Sequence, residues 1–201
     1  MSAQPSLFEP PPPHDLPEGL VYRGELISPA EEAALAHRIA QLPFKAFEFR
    51  GFVGKRRVVS FGWRYDFNQQ RFEAAEPIPD WLSPLRAQAA AFAGLPAESF
   101  AQALVTEYAP GAAIGWHRDR PQFSEVVGVS LLAPCVFRLR RRRGSGWDRA
   151  AFEAEPRSAY LLSGSARRDW EHSIPPVAAL RYSVTFRRLT EKARAGGDAR
   201  S

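Results

Sequence analysis

The alternation of apolar and polar residues divides the chain into an early helical part and a strand-rich remainder. Ser28-Pro29-Ala30-Glu31 carries the marks of a helix start: an N-cap hydroxyl, a proline at the first helical position and a glutamate placed to close a capping box. Leu35, Ile39 and Leu42 follow at helical spacing, which predicts an amphipathic helix ending before Pro43, with His37 on its solvated face. Ser83-Pro84 opens a second helix that runs through Phe92 and stops at Gly94. Beyond it, period-two runs bounded by turn residues predict strands at 100–108, 114–119, 125–132, 136–140, 157–162, 170–173 and 181–187. Two helices followed by about seven short strands imply an α+β chain built on a β-sandwich or jelly roll.

Between the helices the chain is aromatic and basic together. Phe44, Phe47, Phe49, Phe52, Phe61, Trp63, Tyr65 and Phe67 interleave with Arg50, Lys55, Arg56, Arg57 and Arg64. Gly51 and Gly54 predict a loop, and 56–63 a strand. Rings set among cations suit a single-stranded or flipped base, and equally a half-buried hairpin with snorkelling arginines. Residues 1–19, with Pro5, Pro10 to Pro13 and Pro17, hold too few apolar side chains to pack a core and read as a flexible tail. Residues 190–201 read as a second tail, which leaves one domain over 20–189. In the first tail, Gln4-Pro5-Ser6-Leu7-Phe8 resembles the Gln-x-x-Leu-Phe peptides that bind bacterial sliding clamps; Leu7 and Phe8 also suit docking on the chain's own domain.

Charge narrows the class of partner. The 201 residues carry a net charge of +5 and a pI near 9.8, which favours an anionic partner such as nucleic acid. Only Lys45, Lys55 and Lys192 are lysines among 27 basic residues, so a chain-wide preference for arginine accounts for part of that total and location matters more. The run Arg138-Leu-Arg140-Arg-Arg-Arg143-Gly-Ser-Gly146 predicts a strand ending in a cationic hairpin tip suited to phosphates. A single cysteine, Cys135, excludes an intrachain disulfide. With no signal-like segment and no long apolar run, a soluble, cytoplasmic and monomeric protein is expected.

The chemistry concentrates in 103–119 and its later partners. After the break at Pro110-Gly111, His117 and Asp119 stand two apart, on one face of an extended strand and about 6.6 Å from each other along it. His14 lies in the proline tail and His37 on a polar helix face, so His172 is the remaining imidazole. Two His and one carboxylate with open positions describe the facial triad of non-haem Fe(II) oxygenases, though zinc accepts the same ligands. In Arg181-Tyr-Ser183-Val-Thr185-Phe-Arg187, period two puts Arg181, Ser183, Thr185 and Arg187 on one face. Guanidiniums facing a cavity need anions, and a dicarboxylate supplies one for each if the two lean together across about 20 Å of strand.

In that order, Tyr108-Ala-Pro-Gly111, His117-x-Asp119, His172 and Arg181-x-Ser-x-Thr-Phe-Arg187 resemble the AlkB family of Fe(II)- and 2-oxoglutarate-dependent dioxygenases. The resemblance covers 100–188 closely and the lid-like 44–67 region loosely. It implies a double-stranded β-helix with the two helices packed on it. It also implies iron on His117, Asp119 and His172, the distal carboxylate of 2-oxoglutarate on Arg181 and Tyr108, Ser183 within that site, and Arg187 near the chelating end. With O₂, an N-methyl carbon is hydroxylated and the hemiaminal releases formaldehyde and the bare base. For an alkylated DNA or RNA base, Trp63 or Tyr65 is the expected stacking partner, and Arg56, Arg57 and the 140–143 tip are the expected phosphate contacts. Thr106 and Ser183 stand where such proteins often have Asn. Pro121 replaces the acidic, base-contacting residue of the repair enzymes, which keeps hydroxylation or demethylation of a protein side chain open. A non-catalytic nucleic-acid-binding jelly roll is the third reading.

Overall fold

The computed structural model describes residues 16–49, 52–66 and 71–193, with the side chains of 48–49, 52–54, 64–66 and 71–72 left aside. The Gln4–Phe8 peptide and most of both expected tails therefore lie outside the described residues. Strand β1 (Leu20–Arg23) leads into helix α1 (Pro29–Ile39), where the Ser28 hydroxyl and the Glu31 carboxylate close the capping box. Next come β2 (Lys45–Phe49), β3 (Phe52–Phe61), the hairpin β4 (Trp63–Asp66) with β5 (Arg71–Ala74), and α2 (Ser83–Ala93), which ends at Gly94 in a left-handed cap. The remainder is β6 (Phe100–Tyr108), β7 (Ile114–His117), β8 (Phe123–Leu131), β9 (Cys135–Arg143), β10 (Gly146–Ala154), β11 (Ala159–Leu162), the single turn α3 (Gly164–Arg168), β12 (Glu171–Ile174) and β13 (Arg181–Leu189).

Two antiparallel sheets face each other. The larger runs β1-β11-β8-β13-β6-β3-β2 and the smaller β10-β9-β12-β7, the interleaved strand order of a jelly roll. The central strands of the larger sheet are buried on both faces, so they read as nearly continuous apolar runs. On its outer face Val105, Val127, Val129, Val184 and Phe186 meet Leu35 and Ile39 of α1 and Leu85 and Ala89 of α2. The inner cluster joins Phe123 and Val126 to Phe137, Leu139, Phe152 and Trp170 of the opposing half. No helix among the described residues is long and apolar enough to cross a membrane.

Several boundaries differ from those the sequence suggests, each for a local reason. Gly54 lies within β3, and β3 stops at Phe61 because Gly62, at φ 76, turns the chain beneath the Ala101 carbonyl, where a Cβ would collide. Strand β7 ends at His117, so Asp119 stands just past it. The arginine run ends in a hairpin as expected, but β9 continues beyond 140 to Arg143, and Arg140 to Arg143 pair in register with Arg149, Asp148, Trp147 and Gly146 of β10.

Candidate active site

The inner face of β13 organises the site. Ser183, Thr185 and Arg187 line the space between the sheets and Arg181 lies fully buried on the same face against Ser130 and Tyr108, while Tyr182, Val184 and Phe186 join the helix-side core, as the period-two pattern predicts. Register then fixes the neighbours: Arg181 stands beside Tyr108, which pairs with Arg56; Ser183 lies between Ser130 and Thr106; Thr185 lies between Gly128 and Leu104. Above this face opens a cavity of about 2000 Å³ that His117, Asp119 and His172 also line.

His117 and His172 face each other across the β7–β12 ladder, their rings 4.2 Å apart. His172 Nε2 lies 3.8 Å from Asp119 Oδ2. The Nδ1 of His117 sits 2.9 Å from the Gly115 carbonyl, so the proton belongs on Nδ1 and Nε2 is left as a bare acceptor, the tautomer a metal ligand needs. His172 is stacked on Phe137 at 5.2 Å. Burial, then the nearby His117, push the His172 imidazole down to about 3, and burial also lowers His117. Both rings are therefore neutral near pH 7. For Asp119 burial works upward, but Arg187 and the two imidazoles outweigh it and hold the carboxyl well below its ordinary range. Among the described residues no three His, Cys, Asp or Glu groups are placed to hold an ion as they stand, so His117, Asp119 and His172 converge without forming a closed ligand set.

Arg181 is wholly buried, and its Nε donates to Ser130 Oγ at 3.0 Å. Its two terminal nitrogens, Nη1 and Nη2, meet no acceptor. A buried guanidinium fork with both ends vacant is costly unless an anion fills it, and a carboxylate has the matching bidentate shape. The donor set thus fits a keto-diacid at Arg181 and a divalent metal at the two imidazoles and the carboxylate.

Arg187 behaves differently from the expectation that each guanidinium takes one end of a diacid. Its anion is the protein's own: Nε and Nη2 reach Asp119 Oδ1 at 3.0 and 2.9 Å, and Nη1 donates to Gln102 Oε1 at 3.2 Å. The Gln102 amide in turn donates to the Trp63 carbonyl. Trp63 packs against the inter-sheet cluster and does not line the cavity; the side chain of Tyr65 lies outside the described set. Arg56 does line the cavity, its guanidinium 3.7 Å over the Phe47 ring. Arg57, one residue on, faces the other side of the sheet, where it pairs with Glu107 at 2.7 Å. Along this hairpin, Arg140 binds Glu171 and lies between Trp116 and Trp147, and Arg141 and Arg143 share Asp148.

Three participants escape a reading of the sequence. Arg167 of α3 donates to the carbonyls of Arg120 and Phe123 and so ties down the loop carrying Asp119. Gln102 links Arg187 to β4, and Tyr160 lines the cavity from β11. None sits in a motif. The alternation in 159–162 marks Tyr160 only as one side of a strand.

A jelly roll with an open two-imidazole, one-carboxylate centre and a vacant buried guanidinium is the architecture of a keto-acid-dependent oxygenase. The family model of the 2OG-Fe(II) oxygenase superfamily matches residues 23–189. An Arabidopsis thaliana protein named alkylated DNA repair protein ALKBH8 homolog is 27% identical over 183 residues, 78% of this chain and 51% of its own, so the chain spans about half that relative's length. The mitochondrial alpha-ketoglutarate-dependent dioxygenase alkB homolog 7 of Bos taurus is 31% identical over 163 residues, 79% of this chain and 68% of that one. A solved structure described as OsALKBH1 superposes with a TM-score of 0.68 at 18% identity, covering 86% of this chain and 98% of the other. The chain belongs to the AlkB family of 2OG-Fe(II) oxygenases; it is a dioxygenase of the class that uses Fe(II), 2-oxoglutarate and O₂.

Proposed function

We propose that this enzyme oxidatively demethylates N-alkylated bases in DNA or RNA. His117, Asp119 and His172 would hold the iron, and the Arg181 fork beside Tyr108 would take the distal carboxylate of 2-oxoglutarate. Iron, when bound with 2-oxoglutarate and O₂, would supply the oxidising power for hydroxylating an N-methyl carbon. The protein's own work is orientation. Arg187 fixes one oxygen of Asp119 so that the other points inward, and the Gly115 carbonyl fixes the His117 ring. The rings of Phe137 and Tyr160 keep the floor dry.

The observation that carries the nucleic-acid reading is Arg56. It faces the cavity over the Phe47 ring, half-buried, with partial desolvation lowering its pKa and no carboxylate partner among the described residues. A cation held this way awaits a phosphate or an electron-rich base. The volume of the cavity accommodates a base swung out of its stack. Arg138 and Arg140 stack on Trp116, which lines the cavity, although Arg140 is also paired with Glu171. One relative, named as an alkylated DNA repair protein, supports the same reading.

The test is formaldehyde release across methylated single- and double-stranded DNA and RNA, with methylated peptides alongside. Release from at least one nucleic acid is expected. Release from peptides alone moves the enzyme to protein side chains and overturns the proposal.

A further inference from the structure

Gln102 is a buried side chain with both ends committed and no task in the proposed scheme. It stands opposite Arg187 in the β6–β13 ladder and is 5% exposed. Its amide oxygen accepts from Arg187 Nη1 at 3.2 Å, and its amide nitrogen donates to the Trp63 carbonyl at 2.6 Å. A guanidinium offers only donors and a carbonyl only an acceptor, so the amide fits these neighbours in one orientation.

The two partners belong to different parts of the cavity. Trp63 opens β4 and pairs with Ala74 of β5. Beside it Gly62 donates to the Glu76 carbonyl and accepts from the Ala75 amide, which closes the base of the hairpin. Ala74, Ala75 and Glu76 line the cavity, as does Gln102 itself. At the other end, Arg187 directs Nε and Nη2 at Asp119 Oδ1, so the bond from Nη1 to Gln102 sets the tilt of the guanidinium plane. An unbroken chain of hydrogen bonds therefore runs from the hairpin base through Gln102 and Arg187 to Asp119. Such bonds are directional, so a displacement at the hairpin turns the carboxylate at the far end.

We infer that Gln102 is a positioning residue: it carries the placement of the hairpin base to the carboxylate of Asp119, so that a substrate seated against this wall and a metal at Asp119 strengthen each other's binding. The inference deepens the reading of Asp119 as a metal ligand and rests on it.

The experiment is titration of Co(II) into the full chain under nitrogen, followed by visible absorption, with and without a methylated single-stranded oligonucleotide. The parent protein, Gln102→Met and Asp119→Ala are compared. Loss of an orienting partner predicts roughly tenfold weaker Co(II) binding in Gln102→Met without oligonucleotide, and an altered band per bound ion, to which misfolded protein does not contribute. In the parent the oligonucleotide tightens Co(II) about fivefold, and in Gln102→Met this ratio falls to about one. Parent-like affinity and band in Gln102→Met overturn the inference. So does a parent-like ratio in that variant, or an oligonucleotide that the iron-loaded parent demethylates without any effect on its Co(II) affinity. Undiminished Co(II) binding in Asp119→Ala overturns the ligand assignment instead. An oligonucleotide that neither tightens Co(II) nor releases formaldehyde in the parent counts against the nucleic-acid reading, and the affinity and band without oligonucleotide then decide the role of Gln102.

Discussion

Arg187 grips only one oxygen of Asp119: Oδ1 receives both N–H groups while Oδ2 is turned to His172, 3.8 Å away. A carboxylate that is 7% exposed and flanked by two neutral imidazoles needs a fixed countercharge before any metal arrives, and Arg187 provides it from the same strand that carries Arg181. The strand that carries both arginines and the cluster of His117, Asp119 and His172 are therefore one mechanical unit. Removing the guanidinium strands a buried charge, at a cost of about 3–5 kcal/mol. Arg187→Met is expected to show that loss in urea unfolding of the metal-free protein, and metal affinity lower by roughly 10–100-fold. Parent-like values for both would mean the pair does not hold the carboxylate.

The same centre predicts acid sensitivity. His172 is held near 3 when folded against 6.5 unfolded, so between these values the unfolded chain binds more protons and stability falls as pH is lowered. Asp119, depressed in the native state, adds to the loss below its ordinary value of 3.8. Metal-free protein in chelator is expected to lose several degrees of Tm between pH 6.5 and 4.5. His172→Gln removes the titrating group and should flatten this slope. An unchanged slope would place the acid response elsewhere.

Gly128 offers a packing test that involves no ligand. Gly128→Ala forces the Tyr160 ring aside, at an expected cost of about 1–3 kcal/mol from overpacking. In Tyr160→Ala the same methyl group meets open space, so the double variant should be more stable than the sum of the two changes predicts. Strict additivity in thermal unfolding would show that the two residues are not in contact.

How far the sequence foretells this site depends on whether a residue's task is local. The capped helix start at Ser28, the span of β6 and the face alternation of β13 follow from caps and period-two patterning and are found in place; α2 also begins at Ser83, but its N-cap is Leu82 with no side-chain cap, because a short 3-10 turn leads into it. His117, Asp119 and His172 are recognisable because their types are scarce and chemically narrow. The anion of Arg187 was not legible, because Asp119 reaches it only through the pairing of two sheets. Arg167, Gln102 and Tyr160 were hidden for the same reason. Trp63 and Arg56 look equivalent as an aromatic and a cation in one segment, yet the turn at Gly62 sends Trp63 to the inter-sheet core and leaves Arg56 at the cavity.

Arg56 and Arg57 separate the nucleic-acid reading from a general effect of positive charge. They are adjacent, equal in formal charge and opposite in facing: Arg56 looks into the cavity over Phe47, and Arg57 is bound to Glu107 on the helix side. If a phosphate or base enters the cavity, Arg56→Ala weakens binding of a methylated oligonucleotide and lowers the slope of log affinity against log salt by about one unit. Arg57→Ala, which removes the same charge from the far face, should leave both nearly unchanged. Fluorescence anisotropy over a salt series measures the two side by side. Equal losses would mean that only the net charge of the protein is being sensed, and the cavity would lose its claim to the substrate.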